Sequence, residues 1–316
     1  MFRRQRGGED SDVGPIILKL AAPICTGVQE PIVDVHLHSY EHDPRFKARV
    51  PNPGTGKPMI VANGKEQASA TVAALRAAGI VRGIVGGENR TTDDRMIALD
   101  PDRLRAGFEI DRIPSAADLA EIRARHAAGK LAMIGEVDYQ YNGIRHDDPR
   151  LEPLWALAED LQVPIAVHSG AGPAGIVYMG SPLHRERFGD PTSLEEALVR
   201  HPKMKLIIMH AGWPFLDSTI ALLHAYPQVY VDLGAIDWAE PAPGFDHYLE
   251  TLMTYGFGKR ILFGSDQMVW PDATDQAIAR FRAAIYLSSE QRRDIFFNNS
   301  VRLFGWNDLA SCRSDP

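Results

Sequence analysis

The chain alternates between short apolar runs rich in β-branched residues and longer segments with apolar residues at helical spacing. Each short run ends in a polar residue or glycine, as buried parallel strands commonly do. The runs cover residues 32–38, 81–86, 105–110, 131–137, 163–168, 205–210, 229–233 and 260–266. This pattern predicts eight strands in a parallel arrangement.

The longer segments carry helix signals. Ser115 precedes a segment that ends at Gly129, which matches an N-cap serine and a C-terminal glycine. Further helices are predicted over residues 68–79, 151–161, 194–200, 216–225, 248–255, 277–286 and 289–297. Eight strand–helix alternations in 316 residues predict a single-domain α/β fold, the (β/α)₈ TIM barrel. An open doubly wound sheet is disfavoured because no Gly-rich dinucleotide fingerprint follows an early strand.

The predicted barrel covers residues 31–306, between an N-terminal tail, 1–30, and a C-terminal tail, 307–316. Two long loops rich in proline and glycine, 39–65 and 170–191, follow the first and fifth strands. Both fall on the face where TIM barrels place their active sites. Arginines before the apolar segment 14–25 resemble a signal peptide, but Lys19 and Pro23 interrupt that segment. We expect a disordered tail, with a signal peptide as the alternative.

Net charge and cysteine content limit which binding partners and which cellular compartment we expect for the protein. A net charge of −7 offers no basic field for nucleic acid, and no apolar run is long enough to span a membrane. We therefore expect a small-molecule substrate, with a homodimer as the oligomer to consider. Cys25 and Cys312 are expected to be reduced in a cytoplasmic protein. A bond between the two tails and an exported protein are the alternatives.

Metal-binding side chains occur where the predicted strands end. In the first strand Asp34, His36 and His38 alternate and should share one face. Neutral imidazoles are good zinc ligands, and without a partner such buried polar groups are costly. Taken alone, His36 and His38 could equally be core histidines that only form hydrogen bonds.

The fifth, sixth and eighth strands each end in a further candidate, namely His168, His210 and Asp266. Active sites of TIM barrels are assembled from this ring of strand ends. Four histidines and an aspartate at one rim therefore predict a metal site. The remaining histidines, which are predicted at the surface, are His42, His126, His146, His184, His201, His224 and His247.

These residues resemble a known family. The motifs are Asp34-Val-His-Leu-His38, Val167-His168-Ser-Gly, Met209-His210-Ala-Gly-Trp213-Pro214 and Phe263-Gly-Ser-Asp266. Over residues 31–305 the chain is similar to the amidohydrolase superfamily, and more closely to the branch that contains aminocarboxymuconate semialdehyde decarboxylase. The resemblance implies one divalent metal, zinc first, held by His36, His38, His168 and Asp266. It also implies that His210 is catalytic or lies beside the ligands.

The end of the fourth strand departs from many superfamily members, which carry a metal-bridging lysine there. Residues 134–138 read Ile-Gly-Glu-Val-Asp, and Lys130 lies at the opposite end of the strand. A second metal is therefore not expected. Glu136 could be an auxiliary or bridging ligand, but we expect a carboxylate beside the ligands. Asp34 could fix the tautomer of a metal-binding imidazole.

Substrate contacts are less well determined by the sequence. Trp213, Trp238 and Trp270 follow three strands and could form an apolar pocket wall or a structural rim. Other suggested contacts are Tyr139, Tyr141, Arg145, Tyr178 and Arg185.

Hydrolysis of an amide, lactone or ester is the first hypothesis for the reaction. A metal lowers the pKa of water, Asp266 takes its proton, and His210 polarises the carbonyl. The alternative is non-oxidative decarboxylation of a small aromatic or enoic acid, which requires an arginine clamp such as Arg145, Arg185 or Arg187. A barrel that binds ligands without turnover would lack a metal ligand or a base, and none is missing here.

Overall fold

The computed structural model describes residues 24–312, in which every strand overlaps a predicted run, with β2 and β3 each beginning one residue earlier than predicted. The strands are β1 (Ile32–Leu37), β2 (Ile80–Val85), β3 (Leu104–Ala106), β4 (Ile134–Val137), β5 (Ile165–His168), β6 (Leu206–Met209), β7 (Val229–Asp232) and β8 (Ile261–Leu262). All pair in parallel and in chain order, β1 to β3 in one sheet and β4 to β8 in the other.

Backbone hydrogen bonds join the two sheets on both sides. The amide of Ile110 donates to the carbonyl of Glu136 over 3.1 Å, and the amide of Asp266 donates to the carbonyl of His36 over 2.8 Å. The fold is the predicted α/β TIM barrel. β3 and β8 are shorter than predicted, and glycines at positions 107 and 264 follow them closely. Glycine weakens a strand because it has no side chain to pack.

Helices cover the outside of the barrel. They are α1 (Pro44–Ala48), α2 (Gly64–Ala77), α3 (Arg90–Ile97), α4 (Ala116–Ala127), α5 (Glu152–Leu161), α6 (Glu195–Arg200), α7 (Leu216–Ala225), α8 (Ile236–Ala239), α9 (Ala242–Thr254), α10 (Ala273–Ala283), α11 (Ser289–Arg293) and α12 (Asn299–Phe304). The π-helical turn Asp294–Asn298 joins α11 to α12, so the last predicted helix is longer than expected. Among residues 24–312, no helix combines the length and apolarity needed to cross a membrane.

The polar helix α3 was absent from the sequence prediction. Asn89 begins it with a capping box, in which its side chain accepts from the amide of Thr92 and the Thr92 side chain accepts in return. Its sequence, Arg-Thr-Thr-Asp-Asp-Arg-Met-Ile, has no apolar stripe. Capping therefore identifies this helix where periodicity does not.

The barrel interior and the C-terminal segment form one apolar cluster. Val35, Ala166 and Met209 belong to it, together with Leu309 and Cys312 near the end of the chain. The side chain of Lys205, which precedes β6, donates to the carbonyl of Leu303. The C-terminal segment therefore packs on the barrel end opposite the strand termini that carry the histidines.

Cys25 and Cys312 form a disulfide, with their Cα atoms 5.2 Å apart. The expectation of a reduced pair is wrong for this structure. Cys312 ends a short 3₁₀ segment, Asn307–Cys312, that folds back onto the barrel beside Cys25 and Val28. A sequence separation of 287 residues concealed this proximity. The signal-peptide alternative concerns mainly residues 1–23, which lie outside the described residues. The predicted domain boundaries remain predictions.

Three histidines that were predicted at the surface, His146, His184 and His201, are buried instead. Each is buried beside a polar partner that the sequence does not indicate. Nδ1 of His146 lies 3.0 Å from the hydroxyl of Tyr139, and His201 lies between Glu152 and Glu159.

Acidification is expected to destabilise the fold through His146. Burial, and after it the nearby His168, lower the pKa of His146 from 6.5 to about 3. The unfolded chain then binds the proton first, so stability is lost as pH falls from 6.5 towards 3, by about 2 kcal/mol at pH 5 relative to pH 7. Urea unfolding at both pH values should show a smaller loss in His146→Asn. Equal losses in the two proteins would contradict this assignment.

Candidate metal centre

The predicted site residues converge at the carboxyl ends of the strands. β1, β4 and β5 carry His36, Glu136 and His168, and His38 follows β1 directly. His210 follows β6, and Asp266 follows β8. All of these side chains are buried.

The first donor group contains His36, His38, Glu136 and Asp266. Nε2 of His36 and Nε2 of His38 lie 3.2 Å apart. Oε2 of Glu136 lies 3.5 Å from Nε2 of His36 and 3.2 Å from Nε2 of His38. Oδ1 of Asp266 lies 3.8 Å and 3.1 Å from the same nitrogens, yet it is buried and has no hydrogen-bond partner among the described residues. A cation between these atoms would satisfy that oxygen.

The second donor group contains Glu136, His168 and His210. Oε1 of Glu136 lies 2.7 Å from Nδ1 of His168 and 3.2 Å from Nε2 of His210. The two histidine nitrogens are 2.9 Å apart. Glu136 thus presents one carboxylate oxygen to each donor group.

The outer nitrogens of two histidines face acceptors. Nδ1 of His36 lies 3.2 Å from Oδ2 of Asp232, and Nδ1 of His210 lies 2.8 Å from the carbonyl of Gly234. A proton on Nδ1 leaves a lone pair on Nε2, directed towards the centre. Metal-binding histidines are usually held in this way.

Charge in the first group favours a cation. Burial would lower the pKa of His36, but Asp266, Asp232 and Glu136 raise it well above its usual value. Burial would likewise raise the pKa of Asp266, but His36 and His38 lower it to about 2. Ionised carboxylates therefore lie among imidazoles, and this buried group of histidine and acidic side chains suits a divalent metal.

The backbone at the site adopts uncommon conformations. His210 has φ of +55° and Asp266 has φ of +43°, in the left-handed region that non-glycine residues seldom occupy. Gly135, before Glu136, has φ of +148°, and a Cβ there would lie 2.7 Å from the carbonyl oxygen of Ala166. Such conformations persist where the surrounding structure holds them, commonly at functional sites.

A family model described as "Amidohydrolase" matches residues 33–306, most of the chain. The chain belongs to the amidohydrolase family. This amidohydrolase is similar to protein FluG of Emericella nidulans, with 23% identity over an alignment of 160 residues that covers 46% of the chain. The match covers only 18% of that longer protein.

Solved structures share the fold at low sequence identity. An uncharacterised TIM-barrel protein of Bordetella bronchiseptica has a TM-score of 0.64 and 17% identity, covering 87% of this chain and 98% of that one. A probable 2-pyrone-4,6-dicarboxylic acid hydrolase of Acinetobacter baumannii has a TM-score of 0.62 and 15% identity, with coverage of 87% and 99%. A dihydroxybenzoic acid decarboxylase of Polaromonas sp. JS666, solved with manganese and 2-nitroresorcinol, has a TM-score of 0.60 and 16% identity, with coverage of 88% and 97%.

Asp34 does not have the role that the sequence suggested in this amidohydrolase. Its Oδ1 accepts from the backbone amides of His36 and Ser265, and Asp232 faces the imidazole of His36 instead. The pairing register of β1 shifts between Asp34 and Leu37, which breaks the strict alternation assumed for the strand. Asp232 was missed, although it ends a strand just as His168 does.

A cavity of about 1240 Å³ lies over the centre. Trp213, Trp238 and Trp270 all line it, as does Tyr141. Tyr139 is buried against His146 outside the cavity lining. Three other suggested contacts, Tyr178, Arg145 and Arg185, are exposed and do not line this cavity.

The cavity of the amidohydrolase is acidic. Its lining includes the carboxylates of Asp43, Glu88, Glu109, Glu136, Asp138, Glu240 and Asp266. Arg45 is its one guanidinium among the described residues, and Asp43 holds it through Nε and Nη2 at 2.8 Å each. Its Nη1 contacts Sδ of Met268. The charge of Arg45 is therefore already paired within the protein.

Proposed function

We propose that this amidohydrolase hydrolyses a C–N or C–O bond in a small molecule, an amide, lactone or ester, at a centre that holds two divalent ions. The observation that supports the proposal is the position of Glu136. Each of its carboxylate oxygens faces a separate set of histidine nitrogens. Carboxylates commonly bridge paired metals in hydrolytic enzymes, and zinc suits ligands of this kind.

The residues present fit such ions. His36, His38 and Asp266 would hold one ion with Oε2 of Glu136, and His168 and His210 would hold the other with Oε1. The unpartnered Oδ1 of Asp266 and the inward lone pairs of the imidazoles argue for this fit. In this proposal Glu136 becomes a shared ligand, and two ions take the place of the single ion expected from the sequence.

A bound divalent ion supplies Lewis acidity and lowers the pKa of water from 15.7 towards about 7. The chain supplies proton transfer. The carboxylate of Asp266 faces the centre and can take the proton of the attacking water, then return it to the leaving group. His210 directs Nε2 at Glu136, so we assign it to the second donor group rather than to the substrate carbonyl.

Decarboxylation is the second candidate because a dihydroxybenzoic acid decarboxylase shares the fold. A carboxylic acid substrate would need a cationic clamp. Arg145, Arg185 and Arg187 are exposed and do not line the cavity, while Arg45 is paired with Asp43. We therefore prefer hydrolysis of a substrate without a carboxylate.

Elemental analysis together with two assays tests this function. We expect about two equivalents of a first-row metal, as in two-metal hydrolases. The protein should cleave uncharged lactones, esters or amides and should release no carbon dioxide from aromatic acids. Carbon dioxide release without hydrolysis would establish the decarboxylase alternative instead. A protein that takes up no metal would contradict both reactions as stated.

The disulfide bears on the compartment in which this activity operates. Disulfides persist in oxidising compartments and are rare in the cytosol. We therefore propose export, the alternative that the sequence left open. Thiol titration of protein from the native host, without reductant, tests this: reduced cysteines would contradict it.

A further inference from the structure

Tyr141 contacts the second donor group from its outer side. Its hydroxyl lies 3.0 Å from Nε2 of His168, and the two ring centroids are 4.8 Å apart. The other nitrogen of that imidazole, Nδ1, lies 2.7 Å from Oε1 of Glu136. A neutral imidazole carries its proton on one nitrogen, so a proton on Nε2 leaves the lone pair on Nδ1.

We propose that Tyr141 is a positioning residue for the second donor group, in which its phenol oxygen accepts the Nε2–H of His168 and keeps the Nδ1 lone pair directed inward. The role as a metal-positioning residue rests on the proposed function, because the Nδ1 lone pair faces inward only when an ion is bound, whereas the hydrogen bond can be measured without a substrate. Asp232 and the carbonyl of Gly234 stand in the same relation to His36 and His210. Tyr141 completes this pattern for a third imidazole.

The loop after β5 holds Tyr141 from its other face. His184, in that loop, is fully buried and stacks on Tyr141, with ring centroids 5.3 Å apart and planes inclined by 25°. Gly172 approaches so closely that a Cβ there would lie 3.1 Å from Cε1 of Tyr141. The phenol is therefore clamped between the metal-facing histidine and a cavity loop, which restricts the rotation of its ring.

Cobalt binding to Tyr141→Phe tests the proposal, with Tyr139→Phe as a matched control. Tyr139 also pairs its hydroxyl with a histidine, His146, but lies outside both donor groups. Metal-free protein is titrated with Co²⁺. In Tyr141→Phe, the affinity for one of the two equivalents of Co²⁺ should fall about 10–100-fold. The other equivalent, and both equivalents in Tyr139→Phe, should keep wild-type affinity. Unchanged affinities in Tyr141→Phe, or no cobalt binding by the wild type, would overturn the proposal.

The Nε2–H proton of His168 provides a second measurement. Proton–nitrogen-15 NMR of histidine-labelled, zinc-saturated protein should show this proton as a slowly exchanging resonance in the wild type, because the phenol oxygen accepts it. In Tyr141→Phe the same proton should exchange faster with water. An unchanged exchange rate would refute the hydrogen bond. If Tyr141→Phe weakens one equivalent while no substrate is hydrolysed, the positioning role stands and the proposed reaction fails.

Discussion

Glu136→Gln is expected to lose metal from both donor groups and to abolish most hydrolysis. An amide has one oxygen, so it cannot present a charged oxygen to each histidine set as Glu136 does. Changes to residues that only hydrogen-bond a ligand cost about 10–100-fold in metal affinity or activity. Loss of the shared ligand should exceed that range. Elemental analysis and initial rates, measured on the same preparations, give both quantities.

Glu109→Gln is the matched control for this change. Glu109 also lines the cavity, and its Oε2 lies 4.0 Å from Nδ1 of His38, but it belongs to neither donor group. Burial raises the pKa of Glu109 to about 7, so this side chain is already partly protonated near neutral pH. Glu109→Gln should keep its metal, and its rate of hydrolysis should fall by less than about tenfold. Full metal content in Glu136→Gln would show that Glu136 is not a ligand.

Removal of the disulfide is expected to lower the free energy of unfolding by about 2–5 kcal/mol. The bond closes a loop with a sequence separation of 287 residues, and long loops gain most from closure in the chain-entropy model. Cys25→Ser combined with Cys312→Ser removes the bond with little change in volume. Urea unfolding with and without reductant measures the effect.

Reductant should destabilise the wild type and leave the double variant unchanged. The reduced wild type and the double variant should then unfold at similar urea concentrations. Equal stability of the oxidised wild type and the variant would contradict a stabilising disulfide. Binding of cobalt should persist in the variant, because the bond lies at the barrel end remote from the donor groups.

The strand ends were predictable because a period of two and a polar terminus both appear in the local sequence. His168, His210 and Asp266 were found in this way, and Asp232 carries the same signal although it was missed. The sequence could not show which neighbours surround each carboxylate oxygen of Glu136. Those neighbours come from distant strands, and no local pattern encodes their separation.

Other parts of the structure depend on contacts that are distant in sequence. Arg45 lies in α1, within the segment 39–65 that was predicted as a long loop, and its contacts with Met268 and Trp270 could not be predicted from that segment. The burial of His201 depends on Glu152 and Glu159 in another helix. The helix α3 was not predicted for a different reason, since its signal is a cap and its residues show no apolar periodicity.

The Cys25–Cys312 bond also makes residues 25–312 a covalent ring. Tyr178, at 91% exposure, lies in the loop between residues 170 and 191 and offers a protease an accessible cleavage point. A single cut there would open the ring without separating the fragments, and the nicked protein would divide into two bands only on a reducing gel. A circular permutant with new ends at this loop, and with residues 25 and 312 joined by a short peptide, would have the connectivity of the nicked, disulfide-bonded protein and would keep it in a reducing cell.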